Sequence, residues 1–224
     1  MTNSSNAPVN RLRRSNGANS QYLPAKASRF TLWVDGVGAY MLFLGNEITI
    51  GGPAHAAEAA EIRLLANLSR RHATIVRKGE GYLLEAQGEV RVNGRSVENQ
   101  AYLNDGYEII LGESVGLRFR MPTVLSATAT LDFISEHRPM QNIDGMILME
   151  ETCLLGPGGD HHVRCPAWTD AVLLFRKNDE FCLKSQSPIF IDGDPLGTDG
   201  RLPAGKVVSG TDFRFRVEPM PLIA

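Results

Sequence analysis

This 224-residue chain has little of what marks a membrane, secreted or catalytic protein. Its longest apolar stretches, such as Tyr40 to Leu44 and Met146 to Met149, fall far short of the ~20 residues that cross a bilayer, so no membrane partner is expected. A charged start followed by an apolar run is missing too, which predicts a cytoplasmic chain. Cysteine is scarce: Cys153, Cys165 and Cys182 are an odd number confined to the second half, unlike a disulfide framework, and are expected to be reduced core or loop residues.

Catalytic signatures are also missing. The sequence has no Gly-x-Ser-x-Gly elbow, no kinase set, no zinc-protease helix and no carboxylate pair that stands apart from the surface acids, so no enzyme is predicted. His161, His162 and Cys165 are metal-ligand types without a fourth ligand at a standard spacing, and the two histidines are expected in an exposed turn. Gly156 to Gly159 lacks the Lys-Ser/Thr of a phosphate-cradling loop. Neither a metal nor a cofactor is expected.

Acidic residues are absent from positions 1–28, where Arg11, Arg13, Arg14 and Lys26 stand among Asn and Ser. That segment is predicted to be a disordered basic tail. The whole chain carries a formal net charge of only −2, so its remainder is mildly acidic. A nucleic-acid reader presents a basic face, and no nucleic-acid partner is expected.

What is present is a rhythm of short β-prone runs and turns. Phe30 to Val34, Asp35-Gly36, and Ala39 to Leu44 read as a hairpin, and further runs follow at spacings of about ten residues. His55 to Leu68 is the only helix-like window, and it reads as a loop with at most one helical turn. The predicted class is all-β and antiparallel.

The pattern occurs twice. Met41 to Gly51 matches Met146 to Gly156 at an offset of 105. Ala73 to Lys78, Tyr82 to Leu84 and Val92 to Gly94 match Val172 to Lys177, Phe181 to Leu183 and Ile191 to Gly193 at an offset of 99. This duplication predicts two sandwiches in tandem, residues 29–122 and 145–219. Residues 123–144 join them. With Val124, Leu125, Leu131, Phe133 and Ile134, that joint is too apolar for a solvated linker and is expected to pack on the domains.

Three clusters in the first copy carry polar chemistry: Ile50-Gly51-Gly52, Ser69-Arg70-Arg71-His72, and Arg91-Val92-Asn93-Gly94. Phosphate oxygens need several donors; Ser69 offers a hydroxyl, and Arg70 a planar fork suited to charge-assisted contacts. Taken singly, these are ordinary turn and surface residues.

Together the clusters resemble the forkhead-associated family over residues 31–121. The resemblance implies a two-sheet FHA/SMAD-like sandwich whose loops bind phosphothreonine in a partner protein, such as a Ser/Thr kinase or its substrate. By the same resemblance Ser69 and Arg70 contact the phosphate, Asn93 grips the peptide backbone, and His72, with Gly51 and Gly94, supports the site. Arg71 and Arg91 are further candidates. Where the family has an arginine after the strand-ending glycine this chain has Gly52, leaving Arg63, Arg70, Arg71 or Arg91 to compensate.

The second copy reads as a degenerate sandwich. Pro157, Trp168, Thr169, Ala171 and Asp192 stand opposite Gly52, Ser69, Arg70, His72 and Asn93. Trp168 reads as a half-buried loop aromatic or an exposed contact anchor, and Asp192 as a charge that repels phosphate. The alternative reading of the whole chain is a structural scaffold of two sandwiches that reads no phosphate.

Overall fold

A computed structural model describes residues 29–54, 60–140, 143–178 and 180–220. The expected basic tail, and residues 55–59 of the helix-like window, lie outside the described residues. No helix occurs among the described residues, and none is long and apolar enough to cross a membrane.

The described residues form twenty strands. They are β1 (Arg29–Val34), β2 (Gly38–Phe43), β3 (Glu47–Gly51), β4 (Ile62–Arg63), β5 (Ala73–Lys78), β6 (Gly81–Ala86), β7 (Val90–Val92), β8 (Arg95–Val97), β9 (Gln100–Leu103) and β10 (Glu108–Leu111). The second ten are β11 (Val115–Arg120), β12 (Ala129–Phe133), β13 (Gly145–Leu148), β14 (Thr152–Gly156), β15 (Val163–Arg164), β16 (Val172–Lys177), β17 (Glu180–Ile191), β18 (Asp194–Arg201), β19 (Val208–Ser209) and β20 (Arg214–Pro219).

Turn chemistry fixes the first hairpin. Gly36 has φ 70°, a left-handed value that costs glycine little, and the register that follows sets Leu32 opposite Tyr40. Strand β3 lies parallel to β4 and antiparallel to β5, and β14 is paired in the same way with β15 and β16. Strand β17 runs through the positions of β6 and β7 in one piece.

Two apolar cores form. One centres on Ile48, Ile75, Leu84, Leu117 and Leu131, the other on Phe30, Leu32, Leu174, Phe181 and Phe215. Yet the hairpins are exchanged between them. Hairpin β1–β2 docks on β20 at the far end of the chain and buries Phe30, Leu32 and Val34 in the second core. Hairpin β12–β13 docks on β11 and buries Ala129 and Leu131 in the first.

Strands β2 and β13 then pair in parallel, with Met41 beside Met146. Both are covered on both faces: Met41 and Met146 enter the first core, Leu42 and Ile147 the second. A single sheet of fifteen strands therefore runs through both units, and a five-stranded sheet, β4-β3-β5-β6-β9, closes the first. The expected boundaries follow the chain, whereas packing takes β1 into the second unit and β12 into the first, with β2 and β13 shared by both.

Burial along the joint is uneven. Thr128, Ala129 and Leu131 are fully buried, while Val124 and Leu125 stand in solvent. Thr128 Oγ1 donates to the carbonyl of Thr152 at 2.7 Å, and Arg120 Nη2 to that of Gly159 at 3.0 Å, fastening one unit to the other.

Three sequence expectations in the second unit need correction. Trp168 is neither exposed nor half-buried: it lies in the second core, its ring 5.3 Å from Phe213 and 6.3 Å from Phe215. His162 is not solvent-exposed either, because its Nδ1 accepts the Leu154 N–H at 2.9 Å beneath the loop. Asp192 faces no phosphate position; it makes the β17–β18 turn and pairs with Lys206 at 2.8 Å. The three cysteines are free and buried, and burial pushes the Cys165 thiol up to about 12.

Candidate functional site

The loops that follow β3, β4, β6 and β10 meet at one end of the first sandwich, and His72 holds them together. Its Nδ1 accepts the Ser69 N–H at 3.2 Å, so the ring proton sits on Nε2, which donates to the Glu89 carbonyl at 2.8 Å. The His72 backbone N–H donates to Ile50, and its carbonyl accepts from Gln87 and Gly88. The Glu89 carbonyl also accepts the Gly112 N–H, which brings in the end of β10. A buried histidine whose ring and backbone tie these segments together is a support, not a contact.

Close packing explains the glycines. A Cβ on Gly51 would overlap the Arg70 carbonyl, and one on Gly88 the His72 ring. Gly52 is equally confined: its N–H donates to the Ser69 carbonyl at 2.8 Å, and a Cβ there would run into the Leu68 carbonyl oxygen. The missing arginine is thus excluded by the backbone of the β4–β5 loop, which occupies the space a side chain at 52 would need.

Of the sequence-predicted residues, Ser69 and Arg70 are brought together, exposed, at the outer end of this loop. Arg71 lies over the outer face of the five-stranded sheet, where its Nη2 donates to Thr49 Oγ1 at 3.0 Å. Arg91 is exposed on β7, opposite Ile110.

Asn93 and Gly94 stand elsewhere. Asn93 exchanges two hydrogen bonds with Glu108 at the start of β10, while His72 and Glu89 meet the end of that strand at Gly112. Four residues of strand, roughly 13 Å, separate the two positions. With φ of 47° and 76°, Asn93 and Gly94 build the two-residue turn between β7 and β8. Asp192 and Gly193 do the same in the second unit, where Asp192 Oδ1 accepts the Val207 N–H at 2.9 Å. Asn93 is therefore a turn residue, and the reading that places it on a peptide is withdrawn.

Replacing Asn93 by Ala should cost about 1–3 kcal/mol of stability, since it loses its side-chain hydrogen bond and strains a left-handed residue. Thermal melts of the variant would show this, and peptide affinity should not change. An affinity loss without a stability loss would return Asn93 to the site.

One of the arginines left to compensate for Gly52 gains a defined place beside the site, and one further segment near it escaped the sequence reading. Arg63 on β4 pairs in register with Gly51. Residues 134–140 arch from the β11–β12 edge to β4: Ile134 N–H donates to Gly116, Pro139 bridges Leu64, and Met140 N–H donates to the Arg63 carbonyl. The apolar alternation Ile62, Leu64 was the available signal for β4, but its parallel partner is invisible without the fold.

Comparison with known proteins yields no matching family model and no matching curated protein. The solved structures to which the chain is similar are forkhead-associated domains from several proteins. One is the second such domain of an ABC transporter of Mycobacterium tuberculosis, with 22% identity, 61% of this chain and 97% of that one covered, and a TM-score of 0.32. The domain of the CT664 protein of Chlamydia trachomatis is 30% identical, covering 38% of this chain and 90% of its own, with a TM-score of 0.29. A third, from a study of phosphothreonine-dependent interactions of such domains, is 32% identical, covering 38% and 88%, with a TM-score of 0.27.

Proposed function

We propose that the chain is a phosphothreonine-peptide-binding adaptor, a non-enzymatic member of the forkhead-associated class in which the first unit meets the ligand. The observation that carries this is the pairing of exposed Ser69 and Arg70 on a loop pinned from below by His72. A hydroxyl and a guanidinium side by side, on a backbone that cannot shift, suit a tetrahedral dianion. The partner is then a threonine-phosphorylated protein, a Ser/Thr kinase or its substrate, met in the cytoplasm. The second unit carries Trp168 and Ala171 at the equivalent positions and has no part in phosphate contact.

Ser69→Ala and Arg70→Ala should each weaken phosphopeptide binding roughly tenfold to hundredfold, with melting temperature little changed. His72→Ala should lower the melting temperature as well. Titration of the full chain with phosphorylated and unphosphorylated threonine peptide libraries decides the matter, and equal affinity for both would reject the reading.

A second reading has its own support. Gly52 cannot bear a side chain and Asn93 is a turn residue, so two expected peptide contacts are gone. A scaffold that uses both units as surfaces, without phosphate, is the function left if the titration shows no preference.

A further inference from the structure

If the first unit reads phosphate, the charge excluded at residue 52 has to come from another element, and the strand pairing offers one. Strand β4 lies parallel to β3 with Ile62 beside Ile50 and Arg63 beside Gly51. Ile62 and Leu64 are buried, so the alternation of a strand turns Arg63 outward, and it is half-exposed. One inter-strand spacing, about 4.8 Å, separates its backbone from Gly51, where the Arg70 carbonyl packs in the place of a side chain, so Arg63 and the Ser69-Arg70 loop are neighbours across Gly51.

The surroundings favour an anion there. Glu61, just before β4, is turned back onto β3, where its Oε2 accepts the Thr49 N–H at 2.8 Å. Arg71 lies on the same sheet face, over Thr49. Arg63 has no ion-pair partner among the described residues. Its backbone, by contrast, is held on both sides, by Gly51 and by the Met140 N–H that donates to its carbonyl at 3.0 Å. The guanidinium is presented from a fixed strand, with nothing in the fold depending on its charge.

We propose that Arg63 supplies to the bound phosphate the guanidinium that residue 52 cannot, so that the ligand dianion lies between Arg63 on one side and Ser69 and Arg70 on the other. This rests on the phosphothreonine reading above. It makes β4, not the end of β3, the source of the second cation, and Arg63 the residue that sets phosphate affinity in this chain.

The test uses the full chain, a degenerate phosphothreonine peptide library and its unphosphorylated twin, followed by fluorescence anisotropy at fixed salt. Arg63→Met should lower affinity for the phosphorylated library roughly tenfold to hundredfold and leave the unphosphorylated one unchanged. Arg63→Lys should recover part of the loss, because a point charge replaces a planar fork. An unchanged melting temperature for Arg63→Met checks that the fold is kept. If Ser69→Ala weakens binding and Arg63→Met does not, the role of Arg63 is overturned while the phosphate reading stands. If the parent protein does not distinguish the two libraries, both are overturned.

Discussion

Expressed alone, residues 145–224 should fail to fold. The fragment ends in β20 but lacks β1 and β2, which cover that strand and bury Phe30, Leu32, Val34 and Leu42 in the second core. Each such side chain contributes about 1.5–3 kcal/mol on burial. Losing four of them removes about as much as the 5–15 kcal/mol by which a domain is usually stable. Chemical denaturation of the fragment should show no cooperative transition. A rearranged chain is expected to do better: β20 ends beside the start of β1, with the Met220 N–H donating to Arg29 at 3.0 Å. A permutant that begins at Gly45 and carries residues 29–44 after a short linker on Met220 should therefore fold like the parent. A cooperative melt from residues 145–224 alone would show that the exchanged hairpin is dispensable.

Acid should destabilise the protein through His162. Burial, with His161 beside it, pulls the pKa of this imidazole from 6.5 down to about 4, and its Nε2 finds no hydrogen-bond partner among the described residues. The unfolded chain takes up this proton below pH 6.5, whereas the folded chain resists it until about pH 4. The stability that neutral His162 contributes is fully present above pH 6.5 and is lost as the pH falls from there to about 4, a loss of about 3 kcal/mol at 1.36 kcal/mol per unit. Urea titrations at pH 7, 5.5 and 4.5 measure it. His162→Gln keeps an acceptor for the Leu154 N–H but does not titrate, so its stability should fall less over the same range. Parallel curves for the variant and the parent would rule His162 out as the cause.

The two predictions probe what the sequence could not reveal. The strands themselves were legible: the Phe30–Val34 and Ala39–Leu44 runs around Asp-Gly, and the repeat at offsets 105 and 99, appear as β1, β2 and the paired strand sets. Partner choice was not. Strands β2 and β13 are apolar on both faces, so their pattern fits either core, and the β1–β20 pairing joins positions some 185 residues apart, where local periodicity is silent. At the site, Gly51, Ser69, Arg70 and His72, singled out through the family resemblance, lie together because one tight loop holds them. Asn93 was misplaced because Asn-Gly is also the best two-residue turn, and only the bonds to Glu108 separate the roles. Trp168 and His162 were misjudged because one residue's type says little about burial when the loop folds back over a core.

The exchange of hairpins also bears on inheritance. Two tandem copies with separate cores could be lost, shuffled or duplicated one at a time. Here a deletion of either half would strip a strand pair from the other, so the two must be kept or discarded as one. Under that condition the second unit is free to accept Trp168, Thr169 and Ala171 where the first has Ser69, Arg70 and His72. Its retention is secured by the strands it lends and borrows, whatever becomes of its own loops.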